Sequence, residues 1–378
     1  MAAPTRMAGQ VTTAAPKADV KKAKQRDIGQ IPQSKLMIGR FMRARLSVAG
    51  LIVLLIMYVL AILASFLAPN HYDQLDSNYA YVKPTKIVWA NGRPSVCSMT
   101  QTLNQATFTW VYTQDCTKTK PIKFFVQGYA YGLFGLTLHT HLFGVDNPDR
   151  IFIMGTDSLG RDMFARILHG ARVSLTVGLV GVAISVILGA VLGTASGYFG
   201  GAIDNIMQRL IELIQSMPTL PLWMAMGAAV PKDMPVVWRY FLITVVLSLV
   251  SWTGLARQVR AKVMAYRNSD YTSAARLAGA SHGRIILTHM VPNALSHIIV
   301  VATLAVPGMI LGETSLSFLG LGMTPPAVSW GVLLKDAQQI QTVTTYPWLM
   351  IPGLAVVIAV LCFQLLGDGM RDAVDPYS

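Results

Sequence analysis

The chain has 378 residues, of which 53% are hydrophobic and 13% charged, with a mean hydropathy of +0.48. A soluble domain carries roughly a quarter charged residues, so too little polar side chain remains here to coat a water-facing surface. Composition therefore argues for an integral membrane protein. The formal charge of +13 sits in particular loops, with no basic face bearing aromatic stacking residues, which argues against a nucleic-acid partner.

In chain order, residues to about Ser34 are rich in Ala, Thr and Lys without apolar periodicity, which predicts disorder. Segment 1–45 holds Lys17, Lys21, Lys22, Lys24, Arg26, Lys35, Arg40, Arg43 and Arg45 against Asp19 and Asp27. By the Lys/Arg bias of membrane proteins this end is expected in the cytoplasm. Leu46–Leu67 (46–67) is the first apolar run long enough to span a bilayer. It starts too late and runs too long for a cleaved signal, so it reads as an anchor.

Segment 68–154 is then expected outside, as a small β-rich domain inserted between the first two spans. Lys86–Ala90, Asn91-Gly92 and Arg93–Cys97 read as strand, tight turn and strand, and Ala106–Thr113 as a further strand. Cys97 and Cys116 can bridge two such strands in an oxidising compartment, two free thiols being the alternative. His139 and His141 are two apart, which would put both on one face of a strand, but they read as part of a solvated loop. No zinc-ligand spacing occurs among the seven histidines and three cysteines, so no metal site is expected.

Segment 155–378 supplies five more apolar runs: Val173–Ala195, Leu213–Val230, Tyr240–Ala256, Ala294–Phe318 and Trp348–Leu366. Pro218 and Pro221 interrupt the second of these, which reads as one kinked helix entered through the amphipathic stretch Ile206–Gln215. The expectation is an all-α membrane protein of six spans with both termini in the cytoplasm. Loop 257–293 returns to that side, with Arg257, Arg260, Lys262, Arg267, Arg276 and Arg284 against Asp270.

No GxxxxGK[ST] phosphate loop exists, and GTDSLGRD (Gly155–Asp162) lacks its lysine. Nor is there a nucleophile–His–acid set, so the chain is read as no enzyme by itself and without a cofactor of its own. Glu313, with Ser315 and Ser317 nearby, is the one ionisable group deep in a span, read either as a pathway residue or as a carboxylate capped by its hydroxyl neighbours. Gly189, Gly193 and Gly197 recur every four residues and read as a helix-packing face. Met217, Met224 and Met226 read as packing residues rather than pathway. Gln215 and Gln364 read as interfacial.

Within loop 257–293, Asn268-Ser269-Asp270 is an N-cap cluster, Tyr271–Ala278 a short helix ended by Gly279, and Pro292 closes the segment. Small residues Ala274, Ala275, Gly279 and Ala280 would let another protein approach closely. DYTSAARLAGASHGRIILTHMVPNA (Asp270–Ala294) resembles the EAA loop of bacterial binding-protein-dependent ABC importers. Ala274, Ala275, Gly279 and Pro292 match that pattern, while Ser273 stands at its glutamate and Val291 at its leucine. GTDSLGRDMFARILHGARVSL, ETSLSFLGLGMTPPAVSWG and LLGDGMRDAVDP resemble the C-type permease of dipeptide and oligopeptide importers.

The resemblance implies that Ser273, Ala274, Ala275, Gly279, Ala280, Ser281 and Pro292 form an ATPase-coupling element. It also implies a homologous second permease, two cytoplasmic ATPases that bind ATP and Mg, and a periplasmic solute-binding protein, all at the cytoplasmic (inner) membrane. Opines, oligosaccharides and nickel are the alternative solutes. A receptor or scaffold would not need the coupling loop, and a secondary transporter would want acids in several spans.

Overall fold

The computed structural model of the protein describes residues 33–90, 92–104, 109–146, 149–231 and 233–374. The expected disorder before Ser34 and the end of the last motif therefore lie largely outside the described residues, as do Asn91 of the tight turn and the start of the strand at Ala106. Helix α1 (Gln33–Phe41) leads into α2 (Arg45–Ile62) and the short α3 (Ala64–Leu67), which together cover the first apolar run. Five strands follow: β1 (Ile87–Ala90), β2 (Arg93–Asn104), β3 (Thr109–Pro121), β4 (Lys123–Leu133) and β5 (Leu136–Gly144). They form an antiparallel sheet in the order β1-β2-β3 and a separate β4-β5 hairpin.

The pairing Ala90↔Arg93 leaves a two-residue turn, where Gly92 supplies a positive φ of 72°. Cys97 and Cys116 are disulfide-bonded across β2 and β3, beside the register shift at Cys97/Ser98. His141 is not in a solvated loop, as the sequence reading had it. It lies on β5 and is fully buried, with its ring nitrogens 2.9 Å from the Ser65 carbonyl oxygen and 3.1 Å from that of Tyr129. The hairpin is thereby held to the end of the first apolar run. Arg172 secures that same end, its guanidinium donating to the carbonyls of Ala61 (2.6 Å) and Ile62 (3.0 Å), the orphan acceptors of a helix C-terminus.

The remaining helices are α4 (Met163–Phe199), α5 (Gly201–Ser216), α6 (Thr219–Ala228), α7 (Val236–Arg267), α8 (Asp270–Leu277), α9 (His282–Ile285), α10 (Val291–Phe318), α11 (Trp330–Leu334), α12 (Ile340–Thr345) and α13 (Ile351–Val374). Among the described residues, five helical stretches are long and apolar enough to cross a membrane: Arg45–Ile62, Met163–Phe199, Val236–Arg267, His282–Phe318 and Pro347–Val374. The chain is thus a mostly helical integral membrane protein.

The expected kinked third span is instead two helices. Met217 is extended (φ −86°, ψ 138°) ahead of Pro218, because the proline ring disfavours helical backbone at the residue before it. The ten residues of α6 rise only about 15 Å, short of a hydrocarbon core of ~30 Å. Pro292 likewise does not close a segment. It lies inside a continuous helix that widens to a π turn over Ile286–Met290, relieving the clash its ring would otherwise make with the preceding turn. The Asn293 amide then donates to the His289 carbonyl at 2.8 Å.

The glycine repeat on α4 packs as expected, against α7. A Cβ on Gly189 would meet the Trp252 carbonyl oxygen at 3.0 Å, one on Gly193 the Ala256 carbonyl oxygen at 2.4 Å, and one on Gly197 that of Arg260 at 2.7 Å. On α10, by contrast, a Cβ on Gly308 would meet nothing within 4 Å. Gly193→Val should destabilise the purified protein by at least ~1–3 kcal/mol, read as a lower melting temperature in detergent. Gly308→Ala should leave that temperature unchanged or raise it, through the helix propensity gained. Equal melting of Gly193→Val and the parent chain would show that this seam is not close-packed.

Candidate functional site

The segment joining α7 to α10 is built to project one short helix. Ser269 precedes α8 with extended backbone, but its hydroxyl does not cap α8 as the N-cap pattern suggests. It donates back to the Tyr266 carbonyl at 2.7 Å, as does the hydroxyl of the fully buried Thr272 at 2.9 Å. Both tie α8 to the last turn of α7. At the other end the Gly279 N–H donates to the Arg276 carbonyl and the Ala280 N–H to the Ala275 carbonyl, each at 3.0 Å. This is a Schellman closure, and the φ of +78° at Gly279 is the left-handed conformation it demands.

The Arg276 guanidinium lies over the Tyr198 ring of α4, 5.6 Å from its centroid, and the Tyr198 hydroxyl is 2.8 Å from His282 Nδ1. Ala275 and Ala280 pack on an apolar cluster of Tyr198, Val259, Val263, Ile285 and Met290. These two predicted residues therefore face the chain's own core. Ser273, Ala274, Gly279, Ser281 and Pro292 are exposed. The sequence reading passed over Leu277, which is 91% exposed at the tip of α8. The signal for it was a large apolar residue in a short helix otherwise rich in small and charged residues.

Beside α8, Asp204 of α5 accepts two bonds from the Arg260 guanidinium of α7 (2.5 and 2.6 Å) and one from the Ser196 hydroxyl (2.5 Å). Asp204 thus ties the start of α5 to the last turn of α4 and to α7.

Glu313 and Ser317 are fully buried, in the arrangement of the second of the two readings, a carboxylate capped by its hydroxyl neighbours. The Glu313 carboxylate accepts from Ser317 (2.7 Å) and Ser174 (3.2 Å). Those hydroxyls accept in turn from the backbone N–H groups of Met323 (2.9 Å) and Trp330 (3.1 Å). Glu313 thus knots α4, α10 and the returning segment at 321–331. Ser315, two residues from each of them on another face of α10, is half-buried.

The GTDSLGRD stretch forms a second knot at the strand-bearing end. Asp157 accepts from the backbone N–H groups of Leu159 and Arg161 (2.9 Å each) and from Arg161 Nε (2.8 Å), and Arg166 NH1 lies 3.3 Å away. The Thr156 carbonyl accepts from Trp348 Nε1 at 2.9 Å, and its hydroxyl accepts from the Val82 N–H at 2.7 Å. Asp162 caps α4 by accepting from the Phe164 N–H at 3.0 Å, and also accepts from Asn70 at 3.0 Å. Burial pushes its carboxyl up to about 7, partly offset by those bonds. Among the described residues, no group of three or more His, Cys, Asp or Glu is placed to hold a metal ion.

Residues 185–377 match the family described as binding-protein-dependent transport system inner membrane component, and residues 33–84 match the N-terminal transmembrane domain of oligopeptide transport permease C. The oligopeptide transport system permease protein of Haemophilus influenzae is 40% identical over 59% of this chain and 69% of its own length. Its namesake in Bacillus subtilis is 36% identical over 63% of this chain and 76% of its own. Among solved structures, an inward-facing MetNI methionine ABC transporter chain is 17% identical with a TM-score of 0.45, covering 56% of this chain and 98% of that one.

The raised pKa of Asp162 makes a pH test. Its folded value lies above the unfolded value of about 4, so the stability it contributes is complete below about pH 4 and lost as pH rises through about 7. Asp162→Asn keeps a capping oxygen but removes the titration, so the fall in melting temperature between pH 4 and pH 7 should flatten. An unchanged slope would mean that another group carries it.

Proposed function

The chain belongs to the family of binding-protein-dependent transport system inner membrane components, and from that premise we propose that it is a permease subunit forming half the pathway of an ATP-driven importer of di- or oligopeptides. A homologous second permease completes the pathway. Of two ATPase subunits carrying the ATP and Mg, one docks on the exposed face of α8 and the other on the second permease, and a soluble binding protein delivers the solute from the opposite side. The peptide-transport names of the relatives support the solute class.

The observation that carries the coupling reading is the projecting Leu277 on a helix lashed to α7 through Tyr266 and to α4 through Tyr198. A push on α8 has little freedom to dissipate locally and tilts the spans instead. Gly279 serves this by closing the helix rather than by making room for a partner. We count the broken segment Gly201–Ala228 as a sixth crossing, since α5 and α6 together are long enough for the hydrocarbon core. Both termini then share the cytoplasmic side with α8 and the Lys/Arg-rich segments, and the strands lie in the periplasm.

In the complex co-expressed with its ATPases and second permease, Leu277→Glu and Ala274→Glu should each lower stimulated ATP hydrolysis or ATPase co-purification at least ~10-fold, about 1.4 kcal/mol of docking. Normal assembly and hydrolysis in Leu277→Glu would overturn the coupling role of α8. Gly279→Glu is a poorer probe, because it breaks the left-handed cap whether or not anything docks.

We also propose that the strands meet the docked binding protein. Excising residues 87–121 should abolish stimulation by that protein while the membrane complex still assembles. Unchanged stimulation would sink the contact.

A further inference from the structure

The β4-β5 hairpin carries charge at one end only. Lys123 and Asp146 pair at its root (2.7 Å), with Lys120 and Asp149 paired close by. Between them, residues 124–145 contain no Asp, Glu, Lys or Arg. Strand edges that face water are ordinarily protected by charge, Lys above all, and beyond its root this hairpin has none.

Its tip is also strained. Leu133 pairs with Leu136, which leaves the two-residue turn Phe134-Gly135 with φ of 50° and 83°. Those values belong to a type I′ turn, whose first position suits Asn or Gly. A bulky residue held at positive φ is costly. Phe134 recovers nothing from its own chain, being 85% exposed. Leu136 beside it is 66% exposed, and Leu138 follows on the same face of β5.

The attachment of the hairpin gives that tip its direction. Near the root, Val126 and Gly144 border a cleft with Pro69 and Asn70, which the chain reaches after leaving the first span. Further along, the Tyr129 hydroxyl donates to the Ser65 carbonyl at 3.4 Å, and His141 Nδ1 lies 2.9 Å from the same oxygen, within α3. The hairpin therefore runs back along the departing chain, towards the bilayer. Roughly 16 Å of strand separates Tyr129 from the tip. The span it returns to is itself apolar on its exposed side, with Leu55, Val59 and Ile62.

We propose that the β4-β5 tip is a lipid anchor, with Phe134 and Leu136 inserted into the leaflet at the strand-bearing end of the first span. The free edges of a two-stranded hairpin would be left unsatisfied in hydrocarbon, so the strands stay among the headgroups and only side chains descend. Transfer of the Phe134 ring out of water offsets the strain of its turn. A soluble partner that docks and leaves would return the patch to water in every cycle, whereas lipid is always present. The anchor concerns the inserted strands and is independent of which solute is carried.

Photo-crosslinking in the assembled complex tests this. With p-benzoylphenylalanine in place of Phe134, in nanodiscs of phosphatidylethanolamine and phosphatidylglycerol, irradiation should add the mass of one phospholipid to this chain. The yield should be at least ~10-fold above that with the probe in place of Lys123, because only a group sunk in the leaflet has acyl chains within reach. The ion pair lost in that comparison is exposed and contributes little to stability. The probe in place of Leu136 should give the same lipid adduct, which guards against a turn disturbed at Phe134. Adducts from both tip positions to the second permease or to the binding protein would overturn the anchor and make the tip a protein contact. Lipid yields no higher than at Lys123 from both positions would overturn it too, by leaving the tip in water.

Discussion

Lipid tails are as apolar as a leucine face, so two spans gain little from burying hydrophobic surface against each other and associate where their backbones come close. The seam between α4 and α7 meets that condition, through Gly189, Gly193 and Gly197 lying on the carbonyls of Trp252, Ala256 and Arg260. Much else follows from this approach. It brings Ser196 and Arg260 together around Asp204, which fixes α5. It also sets Tyr198 beside the end of α7, so that α8 finds one anchor on each helix. Gly254, between Trp252 and Ala256 on α7, borders a cavity together with Ser185 of α4.

The strand-bearing end of the helical body is closed by polar groups that satisfy one another. Asp157 with Arg161 and Arg166 ties the turn before α4 to itself and to the first turns of that helix, while Thr156 receives bonds from Val82 and Trp348. Glu313 does the same for α10 and α4 through Ser317 and Ser174. Such groups are tolerable near or within a bilayer because their partners are built in.

The membrane class, the first, second, fourth, fifth and last spans, the glycine face and the short helix ended by Gly279 were all legible in the sequence, because each depends on local chemistry. Length of an apolar run, spacing of small residues and a residue able to take positive φ can be read one segment at a time. The reading failed where the outcome depended on what lies opposite. Pro218 looked like a kink but ends a helix, while Pro292 looked like an end but sits inside one, and the difference is a π turn that no propensity announces. His141 looked solvated because nothing in the sequence around it points to the carbonyls of Ser65 and Tyr129.

By itself, then, the sequence determined that this chain lives in a membrane, which of its segments are apolar enough to span it, and that a capped, basic segment links two of them. Those properties follow from transfer free energies and backbone conformations, which belong to residues. Only the tertiary structure decided that Ala275 and Ala280 face inward while Leu277 projects, that Glu313 is enclosed by hydroxyls, and that Gly254 faces empty space whereas Gly193 faces a carbonyl. Those properties belong to pairs of residues far apart in the chain. Ala275 and Leu277, or Gly193 and Gly254, carry no local mark telling them apart, and only the neighbour that folding brings up to each one does so.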